Sequence, residues 1–209
     1  LDTDDAYITY RYARNIAEGR GFVYNPGERV LGTTTPLYTL LLAGAGAANI
    51  NIPAASGFFN VLFGALSAVL AFLMAQRVAG GLLFGFGAAA LMLSFHEFAL
   101  YSVSGMETSA YMFFVLGAFY AYGAQRLRLA ALLAALALLT RLDGAAVAAA
   151  ICADYMLRRR RLPPWKAALV FAACLAPWFL FSQWYFGSPL PNSMLAKHQH
   201  VLAENRLWM

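Results

Sequence analysis

Apolar stretches of membrane-spanning or near-spanning length, separated by short charged segments, constrain this chain more than any other feature of its sequence. Crossing a hydrocarbon core of roughly 30 Å takes a run of about twenty apolar residues. Runs that reach or approach that length lie at about 54–78, 81–99 and 107–124, followed by two shorter ones at 127–140 and 144–157 and a last at 166–186. Hydrophobic residues make up 61% of the chain and charged residues 12%, against roughly a quarter charged in an ordinary soluble domain. The expected fold is all-α, a polytopic transmembrane helix bundle of about six spans. The net charge of +5 does not point to nucleic acid, because its densest cluster, Arg158–Arg161, sits between two apolar stretches. Cys152 and Cys174 lie inside apolar runs with the spacing of neither a metal site nor a disulfide framework.

Charge sets the expected orientation. Arg77, Arg126, Arg128, Arg158–Arg161 and Lys166 fall at ends or loops that alternate onto one side, which the positive-inside rule makes cytoplasmic. Asp154 lies near them. The remaining acids, Asp2, Asp4, Asp5, Glu18, Glu28, Glu97, Glu107, Asp143 and Glu204, fall on the opposite side. This parity requires that Pro36–Ala48 not cross, and at roughly 20 Å of helix it is too short to do so. It fits instead as a helix along the outer surface. Three segments result: an extracytoplasmic loop with juxtamembrane helices at 1–53, the bundle at 54–186 and a second extracytoplasmic loop at 187–209. The chain opens with Leu1 and no leader, so the expectation is a fragment that lacks an upstream span.

Within the first loop, Asp5–Glu18 reads as a helix stopped by Gly19 and Gly21, and Asn25-Pro26-Gly27-Glu28 has the order of a type II turn. The helices at 127–140 and 144–157 each rise only some 21 Å, so their connecting turn should be recessed below the outer surface. Arg141 and Asp143 sit in that turn, and charges at membrane depth line a water-filled cavity or pair with each other.

Asp4 and Asp5 stand at a helix start, where the dipole keeps carboxylates ionised and fit to act as a general base. Asp4, Tyr7, Arg11 and Arg14 recur at helical spacing, placing an acid, a phenol and two phosphate-matching guanidinium groups on one face. The plainer alternative is a capping acid with solvated arginines. Glu107, His96 and Glu97 meet on the outer side, either as interfacial caps or as groups facing a pocket. Arg141 with Asp143 reads as a structural ion pair or a pocket wall, and Lys197 as a phosphate contact or a headgroup lysine. His198 and His200 are a weak metal signal, better read as solvated loop residues.

Several outer segments carry a recognisable pattern: Asp4-Asp5-Ala6-Tyr7-Ile8-Thr9-Tyr10-Arg11, then Gly21-Phe22-Val23-Tyr24-Asn25-Pro26-Gly27-Glu28, then Gly32-Thr33-Thr34-Thr35-Pro36-Leu37. Ser104-Gly105-Met106-Glu107-Thr108, Thr140-Arg141-Leu142-Asp143-Gly144 and Tyr185-Phe186-Gly187-Ser188-Pro189-Leu190-Pro191-Asn192-Ser193 follow in order. Together they resemble bacterial polytopic glycosyltransferases of the GT-C superfamily, of the arabinofuranosyltransferase-like and protein-mannosyltransferase-like kind. The resemblance implies a plasma-membrane enzyme of the cell envelope with its active site on the extracytoplasmic face. Its donor would be a polyprenyl-phosphate-linked sugar, and its acceptor a hydroxyl of a glycan, lipid or protein. It maps catalytic roles to Asp4, the base, and Asp5. Donor-phosphate binding would fall to Arg11, Arg14, Arg141 and Lys197, and the pocket to Tyr7, His96, Glu107, Asp143 and Asn192. A divalent cation (Mg, Mn or Ca) held by Asp5 and Glu107 is a further expectation. The rival readings are a transporter or flippase of a lipid-linked or polar solute and a catalytically silent assembly subunit. A transporter predicts paired repeats with broken helices at midplane, whereas the polar groups here gather on one side.

Overall fold

In a computed structural model of the chain, residues 4–188 are described, with Asp4 described by its backbone alone. Among the described residues the fold is all-α, with helices α1 (Asp4–Ala17), α2 (Pro36–Ala47), α3 (Ile52–Ala79), α4 (Leu82–Ser94), α5 (His96–Tyr101), α6 (Thr108–Gly123), α7 (Leu127–Thr140), α8 (Gly144–Arg159) and α9 (Trp165–Phe186). Two of them, α3 with 28 residues and α9 with 22, are long and apolar enough to cross a membrane by length and composition. Both are largely uncovered by the rest of the chain. Only 22% of the most apolar window of α3 and 17% of that of α9 are buried.

The helix boundaries follow from local chemistry. Helix α2 starts at Pro36, whose fixed φ and missing N–H suit a first turn. Helix α3 starts behind Asn51, whose side chain accepts from the Ala54 N–H at 3.0 Å, and ends at Gly80 in the left-handed region. One apolar run behaves differently from its sequence reading. The 81–99 stretch is not continuous, because α4 stops at Ser94 and Phe95 adopts an extended backbone (φ −74°, ψ 118°). The Ser94 hydroxyl donates to the Ala90 carbonyl at 2.7 Å, a local bond that competes with continuing the helix. His96 and Glu97 therefore begin the short α5 rather than close a span.

Two packed clusters organise the bundle. Ala6, Tyr10, Tyr38, Leu42, Ile52 and Ala110 join α1 and α2 to α3 and α6. Ala118, Ala134 and Val147, with Leu133, Ile151 and Phe171 against them, join α6, α7, α8 and α9. Small residues at these crossings let backbones approach closely, as in membrane helix packing. The two ends of the bundle differ in charge. At one end Arg77 lies 5.9 Å from the Tyr120 ring, the Tyr122 hydroxyl donates to Asp154 at 2.7 Å, and Arg159 donates to Gln125 at 2.8 Å. Arg158 pairs with Asp154 at that same end, 2.7 Å away. The opposite end carries α1, α2 and the loops holding Glu107, Arg141 and Asp143.

The segment between α1 and α2 is tied down rather than free. Asn15 donates to the carbonyls of Val23 and Tyr24 at 2.8 and 2.9 Å. Gly27 at φ 92° closes the 25–28 turn with a 3.1 Å bond from Glu28 N–H to the Asn25 carbonyl, as a type II turn requires of its third residue. Phe22 inserts among Trp178, Phe181 and Phe186, docking the loop on the end of α9. Tyr12, 1% exposed, donates to the Val30 carbonyl at 2.7 Å and accepts from the Gly32 N–H at 3.0 Å. Tyr12→Phe removes both bonds and strands a partly buried N–H, so a loss of about 2 kcal/mol is expected. A thermal unfolding curve checks it, and an unchanged midpoint would show that water satisfies both groups.

Candidate functional site

A buried network fixes the floor of the bundle end that carries α1 and α2. The Ser56 hydroxyl donates to the Gly105 carbonyl at 2.9 Å, the Tyr38 hydroxyl contacts the Ser56 hydroxyl at 2.8 Å, and Tyr10 reaches the same carbonyl at 3.4 Å. Three helices thereby hold the 102–107 loop in place. Glu107 is the residue ahead of α6, one position outside the helix, and its side chain is 8% exposed. The α7–α8 turn lies opposite. Arg141 has an extended backbone, and its guanidinium donates to Glu107 at 2.9 Å and to Asp143 at 3.2 Å.

These groups line a cleft of about 490 Å³, together with Asp5, Ile8 and Thr9 of α1, Gly32 and Thr33–Thr35 of the connecting segment, and Met106 and Leu142. The volume is in the range of a small-ligand site. One wall is acidic, with Asp5, Glu107 and Asp143 around a single guanidinium. Another is a threonine ladder. The Thr33 hydroxyl lies 3.2 Å from that of Thr35 and 3.4 Å from that of Thr39, and Thr39 donates on to the Thr35 carbonyl at 2.9 Å.

Burial pushes the Glu107 carboxyl above the usual carboxylate range, opposed by its own backbone N–H and by Arg141. Burial lowers the Arg141 pKa, but the charges and hydrogen bonds of Glu107 and Asp143 outweigh it, so Arg141 is held more firmly protonated than usual. The two directions are compatible, because Glu107 is the deeper partner and bears the desolvation, while Arg141 has a second carboxylate and some contact with water.

The structure brings together Asp5, Glu107, Arg141 and Asp143 among the residues singled out from the sequence. Tyr7, Arg11, Arg14 and His96 are not among the residues that line the cleft. Tyr7, Arg11 and Arg14 do share an exposed face of α1, but the cleft is lined by Asp5, Ile8 and Thr9 on another face. Arg11 is engaged elsewhere, donating to the Tyr24 carbonyl at 3.0 Å and to Asn25 at 2.9 Å with its guanidinium 4.3 Å from the Tyr24 ring. His96 is exposed at the start of α5 and is not among the lining residues. Asp4 opens α1, while its side chain, like Asn192 and Lys197, lies outside the described residues.

Among the described residues no group of three or more His, Cys, Asp or Glu side chains is gathered as a metal site. Of the two carboxylates expected to hold a cation, Glu107 is paired with Arg141 and Asp5 is not. Arg141 already holds Glu107 and Asp143, leaving Asp5 as the lone carboxylate of the cleft without a described ion pair. Thr9, Thr33, Thr34 and Thr35 went unassigned on sequence reasoning, although a Thr-Thr-Thr-Pro run at a helix start is a signal for a polar wall. Comparison of the chain with protein-family models, with curated sequences and with solved structures gives no match in any of the three.

Proposed function

We propose that the chain is the membrane half of a polytopic glycosyltransferase that moves a sugar from a polyprenyl-phosphate donor to a hydroxyl acceptor on the extracytoplasmic side. In this reading α3, α4 continued by α5, α6 and α9 cross the bilayer, α7 and α8 enter it from the cytoplasmic side and meet at a recessed turn, and α1 and α2 lie at its outer surface. Exposed apolar side chains support the bilayer placement. Phe58, Val61, Val69, Leu83, Phe86, Leu91, Leu180 and Trp184 are each more than half exposed along α3, α4 and α9, and a soluble monomer rarely shows apolar patches this extensive. The 14-residue α7, about 21 Å of helix, leaves its outer end within the membrane depth, where the cleft lined by Arg141 and Leu142 opens.

The observation that carries the reading is the cleft itself, which holds both Asp5 and Arg141 in its lining, at the end of the bundle opposite the basic cluster. An ionised aspartate takes the proton of the acceptor hydroxyl as its oxygen attacks the anomeric carbon. The bond from that carbon to the phosphate oxygen breaks, and the lipid phosphate departs as an anion, needing no proton. Arg141 offsets the charge that builds on it. The threonine hydroxyls hold the sugar, and holding both reactants in line supplies much of the rate. The mechanism routes no step through a metal.

The test is release of polyprenyl phosphate when the full-length protein is incubated with a panel of polyprenyl-phosphate sugars and hydroxyl acceptors. Release from one member of the panel is the expected result. A silent panel removes the enzymatic reading and favours a transporter. Placement is checked separately in intact cells, where Tyr7→Cys should react with a membrane-impermeant maleimide from outside. Reaction only after permeabilisation would put the cleft on the wrong side for this chemistry.

A further inference from the structure

At the opposite end of the bundle, α7 and α9 pack together and begin side by side. Two cavities meet there. The first, about 490 Å³, is lined by Gln125, Arg126, Arg128 and Lys166, with Leu127, Leu129, Pro164 and Ala167. It holds three cations and no carboxylate. Among the described residues none of the three cations has an ion-pair partner, and the nearby Asp154 is taken by Tyr122 and Arg158. The second cavity, about 410 Å³, is almost wholly apolar and runs between α7, α8 and α9 past Ala134, Ile151 and Phe171. Leu127, Pro164 and Ala167 line both, so the cationic cavity and the apolar one adjoin at these side chains.

We infer that these adjoining cavities form a binding site for one anionic diacyl phospholipid of the cytoplasmic leaflet, with its phosphate among Arg126, Arg128 and Lys166 and an acyl chain between α7, α8 and α9. Charge complementarity selects the headgroup, since three uncompensated cations favour a phosphate that carries net negative charge over a zwitterion. The adjoining apolar space selects a lipid over a free phosphate, because a soluble anion leaves that cavity unfilled. Helices α7 and α9 both start here without a side-chain cap, so their free N–H groups add to the attraction for the same anion. The site rests on the bilayer placement proposed above and not on sugar transfer. Its consequence is structural: a bound lipid would bridge the starts of α7 and α9, at the far end from the turn that carries Arg141.

Native mass spectrometry of the detergent-solubilised full chain, with equal amounts of dioleoyl phosphatidylglycerol and dioleoyl phosphatidylcholine, reads the site. One phosphatidylglycerol is expected to stay bound with a preference of about tenfold or more. The combined substitution Arg126→Gln, Arg128→Gln and Lys166→Gln should bring that preference close to parity. Arg160→Gln with Arg161→Gln, exposed cations at the same end that line neither cavity, should leave it intact. Ala168→Trp, an exposed position on the apolar wall, should weaken retention while preserving the fold. Glycerol phosphate, a headgroup without chains, should not be retained. Equal retention of the two lipids overturns the inference. So does an equal loss in the Arg160/Arg161 variant, which would reduce the effect to diffuse surface charge, and so does retention of glycerol phosphate. Recovery of the protein in the soluble fraction without detergent overturns the site together with the bilayer placement, whereas a silent sugar panel leaves the site standing.

Discussion

Asp5→Asn is expected to lower sugar transfer by about 10²- to 10⁴-fold, the usual contribution of a positioned general base. The substitution keeps the shape of the side chain and removes only its ability to accept a proton. Folding should be nearly unaffected, because Asp5 is exposed and its carboxylate contributes mainly its interaction with the start of α1, about 0.3–1 kcal/mol. A large loss of rate with a small change in melting temperature would therefore be catalytic in origin. The family resemblance gives the base role to Asp4, whereas the described cleft contains Asp5. Asp4→Asn measured beside it decides between them, since the true base shows the full loss in kcat with little change in KM for the donor. If both variants transfer sugar at the rate of the parent, neither aspartate takes the proton and the proposed mechanism fails.

Why the acidic end could be read from sequence, and the cleft only in part, comes down to which interactions are local. Helix positions are set by runs of apolar residues and by punctuation such as Pro36, Asn51 and Gly80, all visible in order along the chain. The charge asymmetry between the ends is likewise a matter of counting loops. The break at Phe95 is harder to read, because Ser94, His96 and Glu97 interrupt the apolar run there but such residues also close or cap a continuous span, and the extended Phe95 backbone is what decides. Spacing on α1 correctly grouped Tyr7, Arg11 and Arg14 on one face. It gave no information on which face α2 would cover, and so none on which residues would meet the cleft. Arg11 shows the same gap, since its bonds to Tyr24 and Asn25 depend on a loop folding back over α1. The Glu107–Arg141 pair joins residues 34 apart, from two loops that the sequence places on the same side but not within contact.

Gly144→Ala is expected to destabilise the fold by about 3 kcal/mol, near the upper end for overpacking. A methyl group on Gly144 would meet the main chain of Ala137 and Leu138, well inside contact distance, and main chain cannot swing aside as the tip of a side chain can. Relief requires α7 and α8 to part at the turn that carries Arg141. That turn is held by the Gly144 N–H bond to the Arg141 carbonyl at 2.9 Å and the Arg141 N–H bond to the Ala137 carbonyl at 2.8 Å, so the displacement passes directly to the guanidinium. Thermal unfolding in detergent should show a midpoint lowered by about 6–12 °C. Gly57→Ala is the control, because α3 leaves open space beside Gly57 and replacing a helical glycine by alanine there should raise stability by up to about 1 kcal/mol. Sugar transfer should fall in Gly144→Ala even at temperatures where the protein is fully folded, since Glu107 and Asp143 would lose their shared partner. A Gly144→Ala protein with parental stability would mean that α7 and α8 do not keep this close approach, and with it would go the fixed position of Arg141 in the cleft.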